Sequence, residues 1–323
     1  MINEQSIKGA PSSTGQENSP RGLAQAIVSQ VIWGLFPIFW KFMTGVSPLY
    51  SLGSRMVWGG VFMVILCSVI KRVNFTHLLH DKKAVVIFLS SSIFTATNWG
   101  IYIWAVSSEH ILEASIGYFL LPLLTIILGV IVFKERMTKV QVGACLLALF
   151  GICCFIFMNG GDIWISISIA LTFSLYAAIK KKGNYPALSG MTLESLFSGM
   201  LGLGILIIGF AFPAFWDLVP AMPHEWAVYN PWAILILSVI AGIITAFPLL
   251  LYSDAANHIT LVMLGFIQYV APTIEMCIAI LLFGESFTLA HALCLGSIWL
   301  GLACITGESF ITAQKIRTHA AKK

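Results

Sequence analysis

Gly265, Gln268, Pro272, Glu275 and Ala279 follow the 0, 3, 7, 10, 14 spacing of one helical face inside an otherwise apolar run. An amide and a carboxyl on such a face can hydrogen-bond an organic solute. A desolvated carboxyl can also take a proton on one side of a barrier and release it on the other. A shift of 150 residues finds a second face of the same kind, Ser115, Tyr118, Pro122, Thr125 and Gly129. Both faces are small or polar with a proline in the middle. A bilayer gives no reason to place Gln or Glu there, since an ionisable side chain at mid-helix costs about 2.5–3.5 kcal/mol on insertion scales. A cavity does give a reason. Close helix packing, where small residues also gather, is the alternative reading.

Two more faces are candidate cavity walls: Gln30, Trp33, Pro37 and Lys41, and Asn98, Tyr102, Ala105 and Glu109. Trp33 and Tyr102 offer flat apolar surfaces with a polar handle, which suits organic solutes. Trp99 and Trp104 read as lipid contacts or as part of the interfacial aromatic belt. Lys41, Arg55 and Glu113 fall near the ends of their apolar runs. Pairing of Glu113 with one of the cations would make an outer charged cluster, a gate or substrate anchor. Snorkelling to the headgroups is the alternative. His110 reads as solvated, and Asp254 and His258 as loop residues. Pro37, Pro122, Pro248 and Pro272 each remove a backbone donor inside an apolar run, giving hinges or static kinks.

Other chemistries find no support in the chain. No HExxH, GxSxG or paired-His cluster occurs, so no catalytic residue is expected, and no GxxxxGK[ST] loop is present for a nucleotide. The seven cysteines lie in apolar stretches without CxxC or Cys/His ligand spacing, so neither a metal nor a disulfide framework is expected. No cofactor is implied.

The elements that must carry these faces are membrane helices. The chain is 58% hydrophobic and only 10% charged over 323 residues, with a mean hydropathy of +0.90, against about 25% charged residues in soluble domains. A bilayer core needs roughly 20 apolar residues per helix. Ten candidate spans result: 22–43, 50–70, 84–106, 111–133, 140–158, 163–179, 190–212, 231–253, 259–283 and 288–307. The polar residues 1–21 read as a disordered tail and not as a signal peptide. The segment 214–230, with Trp216, Trp226 and Trp232 in or beside it, reads as an interfacial cap.

With the N-terminus placed in the cytoplasm, 16 of the 18 Lys and Arg fall on the inner side, and only Lys41 and Arg55 do not. Both termini are then cytoplasmic, with residues 309–323 a basic tail. The net charge of +4 is explained by this asymmetry, with no nucleic acid involved. The partners expected are the lipid bilayer, a small-molecule substrate and protons.

The offset of 150 also aligns Tyr102 with Tyr252, Phe133 with Phe283, Glu135 with Glu285, Thr138 with Thr288, and Gly151 with Gly301. Lys41 aligns with Lys181 at an offset of 140. The fold expected is an all-α integral membrane protein of ten helices in two five-helix repeats, 22–158 and 159–308. An odd number of spans per repeat makes the two halves inverted, a hallmark of secondary transporters.

The run NWGIYIWAVSSEHILEASIGYFLLPLLTIILGVIVFKER (98–136) resembles the RarD branch of the EamA family, within the drug/metabolite transporter superfamily. VIWGLFPIFWK (31–41), SRMVWGGVFMVIL (54–66), LGFIQYVAPT (264–273) and LLFGE (281–285) agree with it. The resemblance covers about 22 to 308. It implies ten helices with cytoplasmic termini, two EamA repeats and permease activity in a bacterial-type inner membrane. Members are often labelled chloramphenicol-sensitivity proteins, which names a phenotype and no substrate. The expected function is a secondary carrier for small organic metabolites or drugs, facilitated or proton-coupled. A membrane-embedded enzyme acting on lipid-linked substrates is the alternative.

Overall fold

The computed structural model describes residues 18–70, 76–108, 110–160, 162–284 and 286–320. Among these residues, ten helices are long and apolar enough to cross a membrane. They are Pro20–Met43, Pro48–Ile70, Lys82–Ala105, Ile111–Phe133, Lys139–Asn159, Ile163–Gly183, Ala187–Ala211, Pro231–His258, Leu261–Leu281 and Leu289–Glu308, here spans one to ten. The chain is therefore a multi-pass membrane protein.

Polar residues at the turns set the helix ends. Ser19 caps span one by accepting from the Gly22 N–H, with Pro20 at the first helical position. Thr138 and Gln141 form a capping box at span five. Asn230 and Thr260 cap spans eight and nine. Lys134 and Asn184 close spans four and six in the left-handed conformation.

Several expected boundaries shift for identifiable reasons. Most of the expected disordered tail, residues 1–17, lies outside the described residues, but residues 18–21 are ordered. There the Ser19 N–H donates to the His258 carbonyl, and Arg21 pairs with Asp254 at 2.9 Å. Asp254 and His258 accordingly belong to the last turns of span eight and not to a loop. Asp254 also accepts from Gln25 Nε2 at 2.6 Å. Span six runs on to Gly183 because Lys180 and Lys181 are buried in ion pairs rather than solvated. The last helix continues past span ten to Ala320.

Spans one and nine are each interrupted. Span one breaks at Leu35, between Pro20–Gly34 and Phe36–Met43, and span nine at Tyr269, between Leu261–Gln268 and Val270–Leu281. Pro37 and Pro272 lie just past these breaks, whereas Pro122 and Pro248 sit inside continuous helices. The broken spans meet where Gly34 packs on Ile274.

Span two packs along seven and eight, three along six and seven, four along six and nine, one along eight and nine, and five along ten. Lipid offers no hydrophobic force between helices, so close contact rests on small residues. Gly242 lies against the Trp58 and Gly59 backbone, Gly151 against Cys294, and Gly301 against Ala144. Span ten also carries small residues at Ala292, Gly296, Ala303 and Gly307, a spacing that suits close packing on Ala144 and Ala148 of span five, but its two glycines do not make that contact. A methyl group added at Gly296 or Gly307 would meet nothing within 4 Å; Gly301 and Cys294 on another face do the packing.

The 214–230 segment folds over the ends of spans one and nine. Trp226 stacks on Phe42 and meets Phe283 edge-on, and the Val228 N–H donates to the Phe42 carbonyl.

Candidate functional site

Four polar side chains from four different spans gather around one pair of tyrosine rings. Arg55 of span two and Glu275 of span nine both lie within electrostatic reach of the Tyr102 and Tyr118 hydroxyls. The two tyrosine rings, from spans three and four, meet edge-to-face at 5.3 Å. Arg55 is only 8% exposed and lies seven residues beyond the start of span two at Pro48, about 10 Å along a helix axis. It is therefore well inside the membrane and not snorkelling. The Trp99 and Trp40 rings hold its guanidinium at 4.2 and 5.2 Å. Among the described residues neither Arg55 nor Glu275 has an ion-pair partner.

A narrow crevice of about 20 Å³ runs from Arg55 and Trp99 between spans two, three, seven and eight. Hydroxyls of Ser92, Thr95, Ser195, Ser198 and Thr245 line it, together with Glu194. Trp99 therefore faces the interior, not lipid. The polar faces evident in the sequence draw their walls from spans one, three, four and nine and do not include this crevice. The signal for it lies in Arg55 and Glu194, ionisable residues inside apolar runs.

Other expected wall residues are used to join helices. Asn98 is buried and its Nδ2 donates to the Ile169 carbonyl at 2.7 Å and to Thr172 Oγ1 at 3.0 Å, tying span three to span six. Thr125 donates to Ser174 of span six. Gln268 Nε2 donates to the Tyr252 hydroxyl at 2.8 Å. Trp33 packs on Phe173 and Tyr252 in the core. Pro122 is buried, with its carbonyl against Gly265. Ser115 is exposed, Pro37 is half-buried and Pro272 buried. Glu109 lies outside the described residues.

The outer charged cluster does not assemble. Glu113 accepts from the Asp162 N–H at 3.3 Å and lies 3.4 Å from His110 Nδ1, so it is occupied at the turn into span six. Lys41 sits over the Phe283 ring at 4.4 Å, on the far side of span nine's end. His110 is not simply solvated, since it also stacks on Trp104.

The end of the bundle that carries the lysine clusters is densely bonded. Lys180 Nζ lies 2.7 Å from Glu194, with both side chains 3% exposed. Lys181 donates to the Ile259 carbonyl at 2.6 Å and lies 3.6 Å from Glu135. In the loops, Tyr185 donates to Asp81 at 2.7 Å. Partial burial and this carboxylate push the Tyr185 hydroxyl up to about 12, and the same bond holds the Asp81 carboxyl below its ordinary range. Asp81 also caps span three through the Lys83 N–H.

The EamA-like transporter family model matches residues 20–157. The uncharacterized transporter YojE of Bacillus subtilis (strain 168) is 32% identical over 93% of this chain and 98% of its own. Protein RarD of Escherichia coli (strain K12) is 30% identical over 91% of this chain and 97% of its own. The chloramphenicol-sensitive protein RarD of Pseudomonas aeruginosa is 26% identical over 94% and 98%. A solved crystal structure shares the fold, with a TM-score of 0.65 at 15% identity, over 88% of this chain and 96% of that one.

Proposed function

The chain belongs to the RarD branch of the EamA-like transporter family, and we propose that this permease is a secondary carrier of small organic solutes that works by alternating access. The observation that carries the reading is a polar cluster, Arg55, Glu275 and two tyrosines, with neither charged group paired among the described residues, about one-third of the way across the membrane. Unpaired ionisable groups at such depth are expensive unless a water-filled pathway or a substrate uses them. Aromatic walls at Trp99, Tyr102 and Tyr118 suit an organic body.

Alternating access rests on two inverted repeats, 22–158 and 159–308. Two relationships support them. The principal helix contacts map onto one another when spans one to five are exchanged with six to ten: four–six becomes nine–one, three–six becomes eight–one, and two–eight becomes seven–three. Lys181 stands over Phe133 while Lys41 stands over Phe283, and both lysines and both phenylalanines are repeat mates. The breaks in spans one and nine, packed on each other at Gly34 and Ile274, are the proposed hinge.

The carrier sits in a bacterial-type inner membrane with both termini cytoplasmic, and Glu275 couples transport to protons. Names of the relatives favour a permease over a membrane-embedded enzyme. The test begins with a metabolite comparison of cells with and without the gene. The solute it identifies is then followed in reconstituted vesicles under an imposed pH gradient. The parent accumulates the solute and Glu275→Gln only equilibrates it. Equal accumulation by both proteins would remove Glu275 from the coupling role, and no flux in either would remove the carrier reading.

A further inference from the structure

Of the two charged side chains beside Tyr102 and Tyr118, Arg55 is the one more than nine-tenths buried. It makes no hydrogen bond and no ion pair among the described residues. Its Nε is buried without an acceptor, and its residue lines the crevice. Trp40 and Trp99 lie against the guanidinium. Aromatic contact satisfies the π face of a guanidinium but leaves its in-plane N–H groups free. Those N–H groups form a planar fork that matches a carboxylate in two parallel hydrogen bonds. Among the described residues, neither Glu194 nor Glu275 supplies that carboxylate. Glu194, elsewhere on the crevice wall, is taken by Lys180. Glu275 reaches the tyrosines but is not within ion-pair distance of Arg55. A buried cation with no counter-charge is costly on its own and is relieved by an anion that arrives with the solute.

We infer that Arg55 is a carboxylate-binding subsite, and that the solutes carried are small organic monocarboxylates with an apolar or aromatic body. This rests on the carrier reading above. A single positive charge, with no second cation acting on Tyr102 or Tyr118 among the described residues, suits a monoanion better than a phosphate dianion. Trp99, Met56 and Leu249, which line the crevice with Arg55, provide the surface for the apolar body. Ser92, Thr95 and Thr245 continue the crevice with hydroxyls that can bond to further polar groups on the solute.

The experiment measures equilibrium binding by calorimetry to the full chain in phosphatidylcholine nanodiscs. The probes are phenylacetate, 3-phenylpropanoate and hexanoate, each beside its neutral primary amide. The expected result is a preference of at least roughly tenfold for the acid over its amide, the scale of one charge-assisted hydrogen bond. Arg55→Gln should abolish that preference, and Arg55→Lys, which keeps the charge but loses the planar fork, should retain only part of it. The comparison on the wild-type protein is decisive by itself if Arg55→Gln does not fold. Equal binding of acids and amides, no binding of any acid, or an undiminished preference in a folded Arg55→Gln protein would each overturn the subsite. Nanodiscs doped with phosphatidylglycerol identify the other source of an anion. Loss of acid binding there would assign Arg55 to a lipid headgroup and overturn the solute proposal. Vesicle flux separates the two levels: neutral solutes carried with no preference for acids would end this inference and leave the carrier reading standing, whereas binding of acids without flux of any solute would do the reverse.

Discussion

Glu135, just beyond the end of span four, holds the first turn of span nine. Its two carboxylate oxygens accept from the Leu261 and Val262 N–H groups at 2.8 Å each, and Lys181 lies 3.6 Å away. The arrangement uses the unsatisfied donors and partial positive charge of a helix N-terminus. Lys181 then fixes the carboxylate while bonding the carbonyls of Ala256 and Ile259 at the end of span eight. Four spans from both halves of the chain thus meet at one buried ion pair.

Removing one member of such a buried set leaves the other uncompensated. Glu135→Ala should lower stability by about 3–5 kcal/mol, and Lys181→Met by a similar amount. The double variant should recover part of that loss, since the two effects share one interaction. Unfolding of the purified protein in detergent measures all three. Full additivity of the two single losses would contradict the pairing.

Two glycine positions give opposite expectations. A Cβ on Gly242 would stand 2.6 Å from the Gly59 nitrogen, which is backbone and cannot swing aside. Gly242→Ala should therefore cost about 1–3 kcal/mol through forced separation of spans two and eight. Gly296→Ala meets nothing within 4 Å and should be neutral, or more stable by up to about 1 kcal/mol from helix propensity. Thermal unfolding in detergent ranks the two, and the reverse order would refute the packing.

The ten spans are legible in the sequence because hydropathy over about 20 residues is a strong signal. Helix ends are legible only where capping residues stand in sequence, as at Thr138. Span eight's extra turn depends on Arg21 and Gln25, more than two hundred residues away, and no local pattern could report it. Spacing places Tyr118 and Glu275 on polar faces, but it places Thr125 and Gln268 there as well. Periodicity identifies a face and not its neighbour. Thr125 meets Ser174, and Gln268 meets Tyr252, so one polar side chain of each face staples helices together. Arg55 and Trp99 come together from separate spans, and for the same reason local spacing marks neither as a wall of the crevice.

The Tyr185–Asp81 bond predicts how stability varies with pH. The tyrosine is held protonated up to about 12 in the folded state, against roughly 10 in an unfolded chain. The contribution is therefore fully present below about pH 10 and fades as pH rises toward 12. The carboxyl of Asp81 is shifted the other way. Its contribution is present above roughly pH 4 and is lost as pH falls through its lower folded value. Tyr185→Phe should be less stable than the parent at pH 8, with the gap narrowing from pH 10 upward. A gap that stays constant across that range would show that the hydroxyl does not act through this bond.

Topology is tested by the cations. Lys41 and Arg55 are the two exceptions to the charge asymmetry, and neither is a loop residue. Arg55 is buried against Trp99 within span two, and Lys41 lies on the Phe283 ring within the last turn of span one. The positive-inside rule counts cations in short loops and at span ends that face the headgroups. A buried residue carries no weight in it, and Lys41 is engaged by a neighbouring span. What remains, with the buried Lys180 and Lys181 left out as well, is one-sided: the cations at 82–83, 134–139, 182 and 315–317 all lie at the end of the bundle opposite the 214–230 cap. An alkaline phosphatase fused near Glu225 should therefore be active and one fused after Lys315 inactive, because the enzyme folds only outside the cytoplasm. Activity after Lys315 with none near Glu225 would invert the molecule in the membrane, and with it the side from which the Arg55 crevice is reached.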